Sequence, residues 1–287
     1  MKNALFFHRV DWDGLLSAAI ILIEKEDEEF DLFPINYGDK LPSLEELEVY
    51  DKVYVVDYSL PREYNQELGS RLIWIDHHIS AIKANEGLNI PGIRDISHSA
   101  CELCFQYFVN PDWINRVVYL LGEYDIFEKS GRYSFKWEDI LAFQMGARTI
   151  DLTIENAKKL LSGEISAAHV MTAGRAILQY ARHQEKTAFE RMAWDVTIDG
   201  HPAKALLANE MSSLICEQTL ANGDANIVLL LNRNNDETFK LSIRVAENYE
   251  FDASEFARKF GGGGHIKAAG CTIPIKIFTK LYTKHRI

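Results

Sequence analysis

Residues 71–78 read Arg-Leu-Ile-Trp-Ile-Asp-His-His, a short apolar run that ends directly in an aspartate and two histidines. Two earlier stretches have the same form: residues 4–8, Ala-Leu-Phe-Phe-His, and residues 52–57, Lys-Val-Tyr-Val-Val-Asp. Continuous apolar runs of this length are typical of strands in a parallel sheet that is buried on both faces. Residues 15–23 are rich in Ala, Leu and Ile and predict a buried helix between the first two runs. This alternation predicts an α/β fold for the first half of the chain.

The pattern changes twice further along the chain. Several segments between residues 98 and 161 carry apolar residues at helical spacing, and residues 165–192 predict one long helix, although Gly174 weakens the pattern in its middle. From Trp194 onward, short β-branched runs and an Asp199-Gly200 turn predict strands. We therefore expect a first α/β domain at 1–165, a connecting helix at 166–193 and a smaller α/β domain at 194–287.

The composition is that of a globular protein, with 47 % hydrophobic and 25 % charged residues among 287. No apolar run approaches the roughly 20 residues that cross a bilayer, and Asp11 and Asp13 interrupt any secretory signal at the N-terminus. Four cysteines are too few for a disulfide scaffold in a chain of this length. We expect a cytoplasmic protein with no membrane partner.

The formal net charge of −11 argues against nonspecific binding to long polyanions. The charge is unevenly distributed, since residues 1–60 hold 14 acidic and 5 basic side chains, whereas residues 240–287 hold 4 acidic and 9 basic ones. One end of the chain could therefore attract cations and the other anions, although both could equally be solvated surface.

Metal-competent side chains follow all three predicted strands. His8, Asp11 and Asp13 follow the first strand, Asp57 the second and residues 76–78 the third. The carboxyl ends of parallel strands share one edge of a sheet, so these groups should meet there, although each aspartate alone could be a helix cap. Carboxylates and imidazoles without thiolates suit Mn²⁺ or Mg²⁺, and two such ions can clamp a phosphoryl group and an attacking hydroxide. Asp57 is the expected bridge between them.

These motifs resemble a known family. Residues 8–14, His-Arg-Val-Asp-Trp-Asp-Gly, together with Val56-Asp57 and Asp76-His77-His78, resemble the first three motifs of the DHH phosphoesterase superfamily. Asp125, within Leu-Gly-Glu-Tyr-Asp-Ile-Phe, is similar to the aspartate of the fourth motif, and Asp112 in an Asn-Pro-Asp turn is the competing candidate. The short spacing between His8 and Asp11 resembles oligonucleotide-degrading members, or nanoRNases.

The C-terminal part resembles the substrate-binding domain that accompanies DHH domains. Residues 260–270, Phe-Gly-Gly-Gly-Gly-His-Ile-Lys-Ala-Ala-Gly, are similar to its glycine-rich signature. Glycines let backbone N–H groups approach an anion, and we expect the helix predicted after them to offer its positive N-terminus. Arg244, in Ser-Ile-Arg, resembles the arginine that holds a substrate phosphate. The implied substrate-binding residues are Arg244, Gly261, Gly262, Gly263, Gly264 and His265.

The resemblance also implies roles for the metal-competent residues. It implies two Mn²⁺ ions, with Mg²⁺ or Co²⁺ as alternatives. The ligands would be His8 and Asp11 for one ion, Asp13, His77 and Asp125 for the other, and Asp57 for both. The catalytic residues would be Asp57, Asp76, which orients the histidines, and His78, which protonates the leaving oxygen or stabilises charge.

The implied activity is hydrolysis of short oligonucleotides to mononucleotides by a metal-activated hydroxide, with the active site in the cleft between the two domains. Two alternatives remain open: a phosphatase for phosphoadenosine phosphate or linear dinucleotides, and a binding module for nucleic acid without catalysis. Whether the substrate is RNA, DNA or a small nucleotide is left open, as is a homodimer.

Overall fold

The computed structural model describes residues 2–109, 115–207 and 216–283, so Asp112 lies outside the described residues. Internal contacts divide the chain into two units, Met1–Leu178 and Gln179–Ile287. The first unit begins with β1 (Lys2–His8), α1 (Trp12–Glu24), β2 (Glu29–Ile35), β3 (Lys52–Val56), α2 (Arg62–Leu68), β4 (Leu72–Ile75) and α3 (Ile79–Ala84). It continues with α4 (Ala100–Cys104), α5 (Arg116–Asp125), α6 (Trp137–Ala147), α7 (Ile154–Ser162) and the start of α8 (Ala167–Met192).

The first unit contains a four-stranded parallel sheet with the strand order β2-β1-β3-β4. Alternate residues of β1 enter different cores: Leu5 and Phe7 pack with α1 and α5, whereas Ala4 and Phe6 join the cluster around Trp74. Each buried Phe contributes roughly 1.5–3 kcal/mol. The sheet is thus covered on both faces, and the predicted α/β class and parallel sheet are confirmed.

Helix α1 begins earlier than the apolar run at residues 15–23 indicates, because Asp11 caps it and places Asp13 and Gly14 in its first turn. A Cβ atom at Gly14 would lie 2.1 Å from the backbone carbonyl oxygen of His8. Only glycine therefore lets the first turn of α1 lie against the end of β1. This close approach places Asp11 and Asp13 beside His8.

The predicted long helix is confirmed, since α8 runs without interruption through Gly174. None of the helices in the described ranges is both long and apolar enough to span a bilayer. The α8 helix also contains the boundary between the two units, which falls after Leu178.

The second unit continues from α8 with a six-stranded mixed sheet in the order β5-β6-β7-β8-β10-β9. Its elements are β5 (Trp194–Ile198), β6 (His201–Leu207), α9 (Cys216–Ala221), β7 (Ile227–Arg233), β8 (Thr238–Val245), α10 (Ala253–Arg258), β9 (Gly263–Gly264), β10 (Ala268–Pro274) and α11 (Ile275–Thr283). The hairpin between β5 and β6 turns at Asp199 and Gly200, whose φ angles are 46° and 85°. This turn agrees with the Asp-Gly signal in the sequence.

The prediction of a helix directly after the glycine run was wrong: residues 268–274 form strand β10, and the neighbouring helix α10 comes before the glycines. The N–H groups of Gly261 and Gly262 donate to the carbonyls of Arg258 and Ala257 and close the end of α10. A Cβ atom at Gly262 would lie 2.1 Å from the carbonyl oxygen of Gly270. The glycines therefore end helix α10 and allow a close approach to β10. Both roles require the backbone freedom that we attributed to an anion-binding loop.

Candidate metal centre

The carboxyl ends of β1, β3 and β4 bring their polar residues together at one edge of the N-terminal sheet. Asp57 directly follows β3 and is 2 % exposed. Its φ of 52° lies in the left-handed region, which aspartate tolerates better than most residues. Its backbone N–H donates to the carbonyl of Ile75, so the turn is tied to the end of the neighbouring strand β4.

The first candidate ligand group consists of His8, Asp11 and Asp57, whose ligand atoms all lie within 4.8 Å of one another. His8 Nδ1 is 2.8 Å from Asp11 Oδ2 and 3.6 Å from Asp57 Oδ2. The other carboxylate oxygen of Asp11 accepts the backbone N–H of Gly14 at 3.1 Å. The helix cap thereby orients Asp11 and leaves Oδ2 directed at the histidine.

The second candidate ligand group consists of Asp13, His77 and Asp125. His77 Nε2 lies 3.3 Å from Asp125 Oδ2, 3.6 Å from Asp13 Oδ2 and 3.4 Å from Asp57 Oδ1. Asp125 is the last residue of α5, so a helix from outside the sheet completes the group. Asp57 is thus close to histidines of both groups, as expected for a residue shared between two ions.

Asp76 and His78 form a hydrogen-bonded pair beside these groups. One carboxylate oxygen of Asp76, Oδ1, accepts the backbone N–H groups of His77 and His78 and lies 2.7 Å from His78 Nδ1. This bond directs the other ring nitrogen of His78, Nε2, away from Asp76. His78 also forms a third candidate ligand group with Asp57 and His77.

The electrostatics of the cluster reflect several carboxylates in a small, buried volume. Burial, and next the charge of Asp13, raise the pKa of Asp57 well above its usual range. The same two causes, in the same order, raise the pKa of Asp125. Hydrogen bonds to Asp11 and Asp57 raise the pKa of His8 to about 10, even though burial opposes this shift. Without a bound cation, these shifts therefore favour the protonated forms of Asp57, Asp125 and His8.

The donor set fits divalent cations. It combines four aspartates with histidines, and the described residues of the three groups include no thiolate. A divalent ion would reverse the local potential and favour the ionised carboxylates that burial now opposes. Such a ligand mixture suits Mn²⁺ or Mg²⁺ better than a structural zinc ion.

Helix α4 holds Asp13 in place, and this was not anticipated from the sequence. The two carboxylate oxygens of Asp13 accept the backbone N–H groups of Ala100 and Cys101, at 2.9 and 2.7 Å. Ser99 caps the helix and forms a capping box with Glu102. The Ser-x-x-Glu spacing was the available signal for the cap, but nothing in it indicated a partner almost ninety residues earlier.

The residues after β2 were also missed. Asn36 Oδ1 lies 3.2 Å from His8 Nε2, the ring nitrogen on the far side from Asp11. The ring of Tyr37 has its centroid 5.7 Å from that of His8. Partial burial and the nearby carboxylates of Asp76 and Asp57 raise the pKa of Tyr37. Strand β2 is an edge strand with a proline and an interrupted apolar pattern, so the sequence pattern did not reveal it.

The expected substrate-binding residues lie in the second unit. Arg244 is half-buried near the end of β8, opposite Ala268 of β10, and its guanidinium donates to the carbonyl of Ile243 at 2.9 Å. His265 and Ala268 exchange backbone hydrogen bonds in a tight turn. Arg244 and the glycine-rich segment are therefore neighbours, and Gly263, Gly264 and His265 are exposed.

Comparisons with known proteins bear on both units. Residues 204–282 match the DHHA1 domain family. The whole chain is similar to a pGpG-specific phosphodiesterase, PggH, from Vibrio cholerae, with a TM-score of 0.54 and 14 % identity over 98 % of this chain and 96 % of that one. It is also similar to the DHH domain of a member of a family of ribosomal proteins, with a TM-score of 0.59 and 15 % identity over 100 % and 87 % of the two chains. At these identities the two structures establish the fold. No curated protein matches the sequence.

Proposed function

We propose that the chain is a member of the DHH phosphoesterase superfamily and a metal-dependent phosphoesterase that hydrolyses short oligonucleotides to mononucleotides. Its match to the DHHA1 domain family over residues 204–282 and its likeness in fold to DHH-domain structures support this proposal. The observation that carries this proposal is that the two ligand groups are adjacent, since Asp57 of the first group lies 3.4 Å from His77 of the second. A binding module without catalysis would have no need for four aspartates at one edge of the sheet, two of them buried, where their repulsion opposes folding.

We assign His8 and Asp11 to one ion, Asp13, His77 and Asp125 to the other, and Asp57 to both. Divalent ions bound there, with Mn²⁺ as the proposed metal, would activate a water molecule and neutralise charge on the phosphate. The chain's own contribution is orientation: Asp11 and Asp13 are held by backbone N–H groups, and His8 is held between Asp11 and Asn36.

His78 is the proposed proton donor to the leaving oxygen. Burial lowers its pKa, but the hydrogen bond and charge of Asp76 outweigh burial and raise it overall. Because Nδ1 bonds to Asp76, Nε2 is the nitrogen that would meet the substrate. Asp76 therefore acts through His78 and fixes its tautomer. In the DHHA1 domain, we assign phosphate binding to Arg244 and to the segment from Gly261 to His265.

The substrate class follows from the chemistry proposed for the DHHA1 domain and from the likeness to a phosphodiesterase that acts on pGpG. A linear dinucleotide is the shortest substrate that contains an internal phosphodiester. Activity on it without activity on RNAs of three to five residues would favour the alternative enzyme for linear dinucleotides. A terminal phosphate without a diester, as in phosphoadenosine phosphate, tests the alternative phosphatase. We expect the protein to act in the cytoplasm.

The experiment uses protein stripped of metal and then titrated with Mn²⁺, with mononucleotide release from RNAs of two to five residues followed by chromatography. The Asp57→Asn variant should lose more than about 100-fold in rate, exceeding the 10–100-fold effects typical of residues that only support ligands. Asp139→Asn, which alters a surface ion pair, is the matched control and should retain the wild-type rate. Absence of both a tight Mn²⁺ site and mononucleotide release would contradict the proposal.

A further inference from the structure

An exposed aromatic ring lies at the edge of the candidate metal centre. Tyr37 follows β2, and 55 % of the residue is exposed. Its ring centroid is 5.7 Å from that of His8 and 4.9 Å from that of Tyr58. Tyr58 is itself buried, so the Tyr37 ring rests on the protein interior while much of its surface remains open.

The segment that carries Tyr37 is held in a defined conformation. Asn36 Oδ1 accepts the backbone N–H of Tyr37 at 2.8 Å, and Asp39 Oδ2 accepts the backbone N–H of Asn36 at 2.8 Å. Arg9 pairs with the same carboxylate and joins this turn to the segment after β1. The ring is therefore presented by an ordered turn, and little conformational entropy would be lost when a ligand packs against it.

A packing role alone does not explain this position. Exposure alone does not distinguish Tyr37, since Tyr180 is 66 % exposed, but Tyr37 combines exposure with a ring centroid 5.7 Å from that of His8. Beside several carboxylates, an exposed cationic side chain would also be electrostatically favourable, yet the position is an aromatic one. A flat apolar surface next to a phosphate-binding centre is the arrangement that accommodates a planar base attached to that phosphate.

We propose that Tyr37 is the stacking surface for a nucleobase whose phosphate lies at the metal centre. This inference rests on the proposed function and specifies its substrate: the enzyme would recognise a base next to the cleaved phosphate. It would do so through the π-face, which every base offers, so one enzyme could degrade oligonucleotides of mixed sequence.

The experiment compares an intact dinucleotide with the same dinucleotide in which one nucleotide is replaced by an abasic residue. The abasic residue is placed first at one position and then at the other. For the Mn²⁺-loaded wild type, kcat/KM should favour the intact dinucleotide by about 5- to 150-fold at one position, the range of base–aromatic stacking. Tyr37→Phe should keep this ratio, whereas Tyr37→Leu should reduce it to near unity by slowing the intact dinucleotide alone.

Tyr180→Leu is the matched control, since Tyr180 is an exposed tyrosine on α8 with 66 % exposure, and it should leave the ratio unchanged. Mn²⁺ affinity, measured by calorimetry, should be the same in all variants. If Tyr37 merely shields His8, Tyr37→Leu will weaken Mn²⁺ binding and slow both substrates equally, which would overturn the inference. Equal wild-type rates on both substrates would also overturn it while leaving the phosphoesterase proposal intact. If the wild type hydrolyses neither substrate, both the proposed function and this inference are contradicted.

Discussion

Arg132 forms ion pairs with two buried glutamates of the N-terminal unit, Glu102 and Glu123, and so compensates their charge. Its guanidinium lies 2.8 Å from Glu123 Oε1 and 3.2 Å from Glu102 Oε2, and both glutamate side chains are fully buried. It also donates to the carbonyl of Ser97 at 2.7 Å, just before helix α4. Burial raises the pKa of Glu102 to about 7 and also raises that of Glu123. Replacing Arg132 by Met keeps most of the side-chain volume and removes the charge.

Removal of one partner from a buried ion pair typically costs about 3–5 kcal/mol, because the remaining charge has neither water nor a counter-ion. An exposed pair is worth about 0–1 kcal/mol. Arg175 and Asp139 form such a pair at 2.7 Å, with 58 % and 32 % side-chain exposure. We therefore expect Arg132→Met to lower the free energy of unfolding by about 3–5 kcal/mol at pH 8, and Arg175→Met to lower it by less than about 1 kcal/mol.

The loss should depend on pH in a defined direction. The folded protein holds the pKa of Glu102 and Glu123 above the unfolded value of 4.5. The folded state therefore binds more protons, and stability falls as pH rises from about 4.5 through the raised pKa values. Without Arg132 these pKa values rise further, so the deficit of the variant should be largest at pH 8 and should shrink towards pH 5.

Urea unfolding, followed by tryptophan fluorescence at pH 8 and pH 5.5, measures both effects. Mn²⁺ titration of Arg132→Met adds a second readout, because a loosened α4 would release the N–H groups that hold Asp13. The reasoning fails if Arg132→Met costs no more than Arg175→Met, or if its cost is the same at both pH values.

Three further predictions concern the candidate metal centre. Gly14→Ala would place a Cβ atom 2.1 Å from the His8 carbonyl oxygen, so it should lower the free energy of unfolding in urea by about 1–3 kcal/mol and weaken Mn²⁺ binding. The control Gly263→Ala, with open space around it, should change that free energy by under about 0.5 kcal/mol. Equal effects of the two variants would contradict the close approach of α1 to β1 at Gly14. Mn²⁺ at 100 times its dissociation constant should stabilise the wild type by about 2.7 kcal/mol for each ion bound, and Asp57→Asn should abolish the corresponding thermal shift. An unchanged shift would exclude Asp57 as a ligand. Because hydrogen bonds raise the pKa of His8 to about 10, Mn²⁺ binding at pH 7.5 must displace its proton. That proton alone should raise the affinity by up to about tenfold per pH unit between pH 6.5 and 8.5 in calorimetric titrations. A pH-independent affinity would argue against His8 as a ligand.

Strands of the N-terminal sheet could be predicted from the sequence only where they are buried on both faces. Strands β1, β3 and β4 were evident because both faces of each are covered, which requires continuous apolar sequence. Strand β2 lies at the edge, carries Pro34 and alternates in exposure, so its sequence resembles a loop. Overlooking β2 also concealed Asn36 and Tyr37, which follow its carboxyl end.

The glycine run shows a different limit of sequence reasoning. Four consecutive glycines indicate unusual backbone freedom. The structure agrees, since Gly261 and Gly264 have positive φ angles of 73° and 136°. The sequence could not distinguish an anion loop before a helix from a helix end followed by a strand. That choice depends on the partner strand β10, against which the glycines pack without side chains.

The sequence by itself predicted candidate metal ligands after three strands, because the end of a buried strand is a local feature and its neighbours follow directly in the chain. Asp125, at the end of a helix, was predicted only from the family resemblance. Their grouping was a tertiary property. Asp13 meets His77 and Asp125 only because α1 returns along the sheet, β4 lies beside β3, and α5 ends at the same edge. Distances between such groups depend on strand order and on the close approach at Gly14, which chain spacing does not encode. The supports of the site, from the α4 amides on Asp13 to Asn36 on His8, also join distant segments, and only the folded chain brings them into contact.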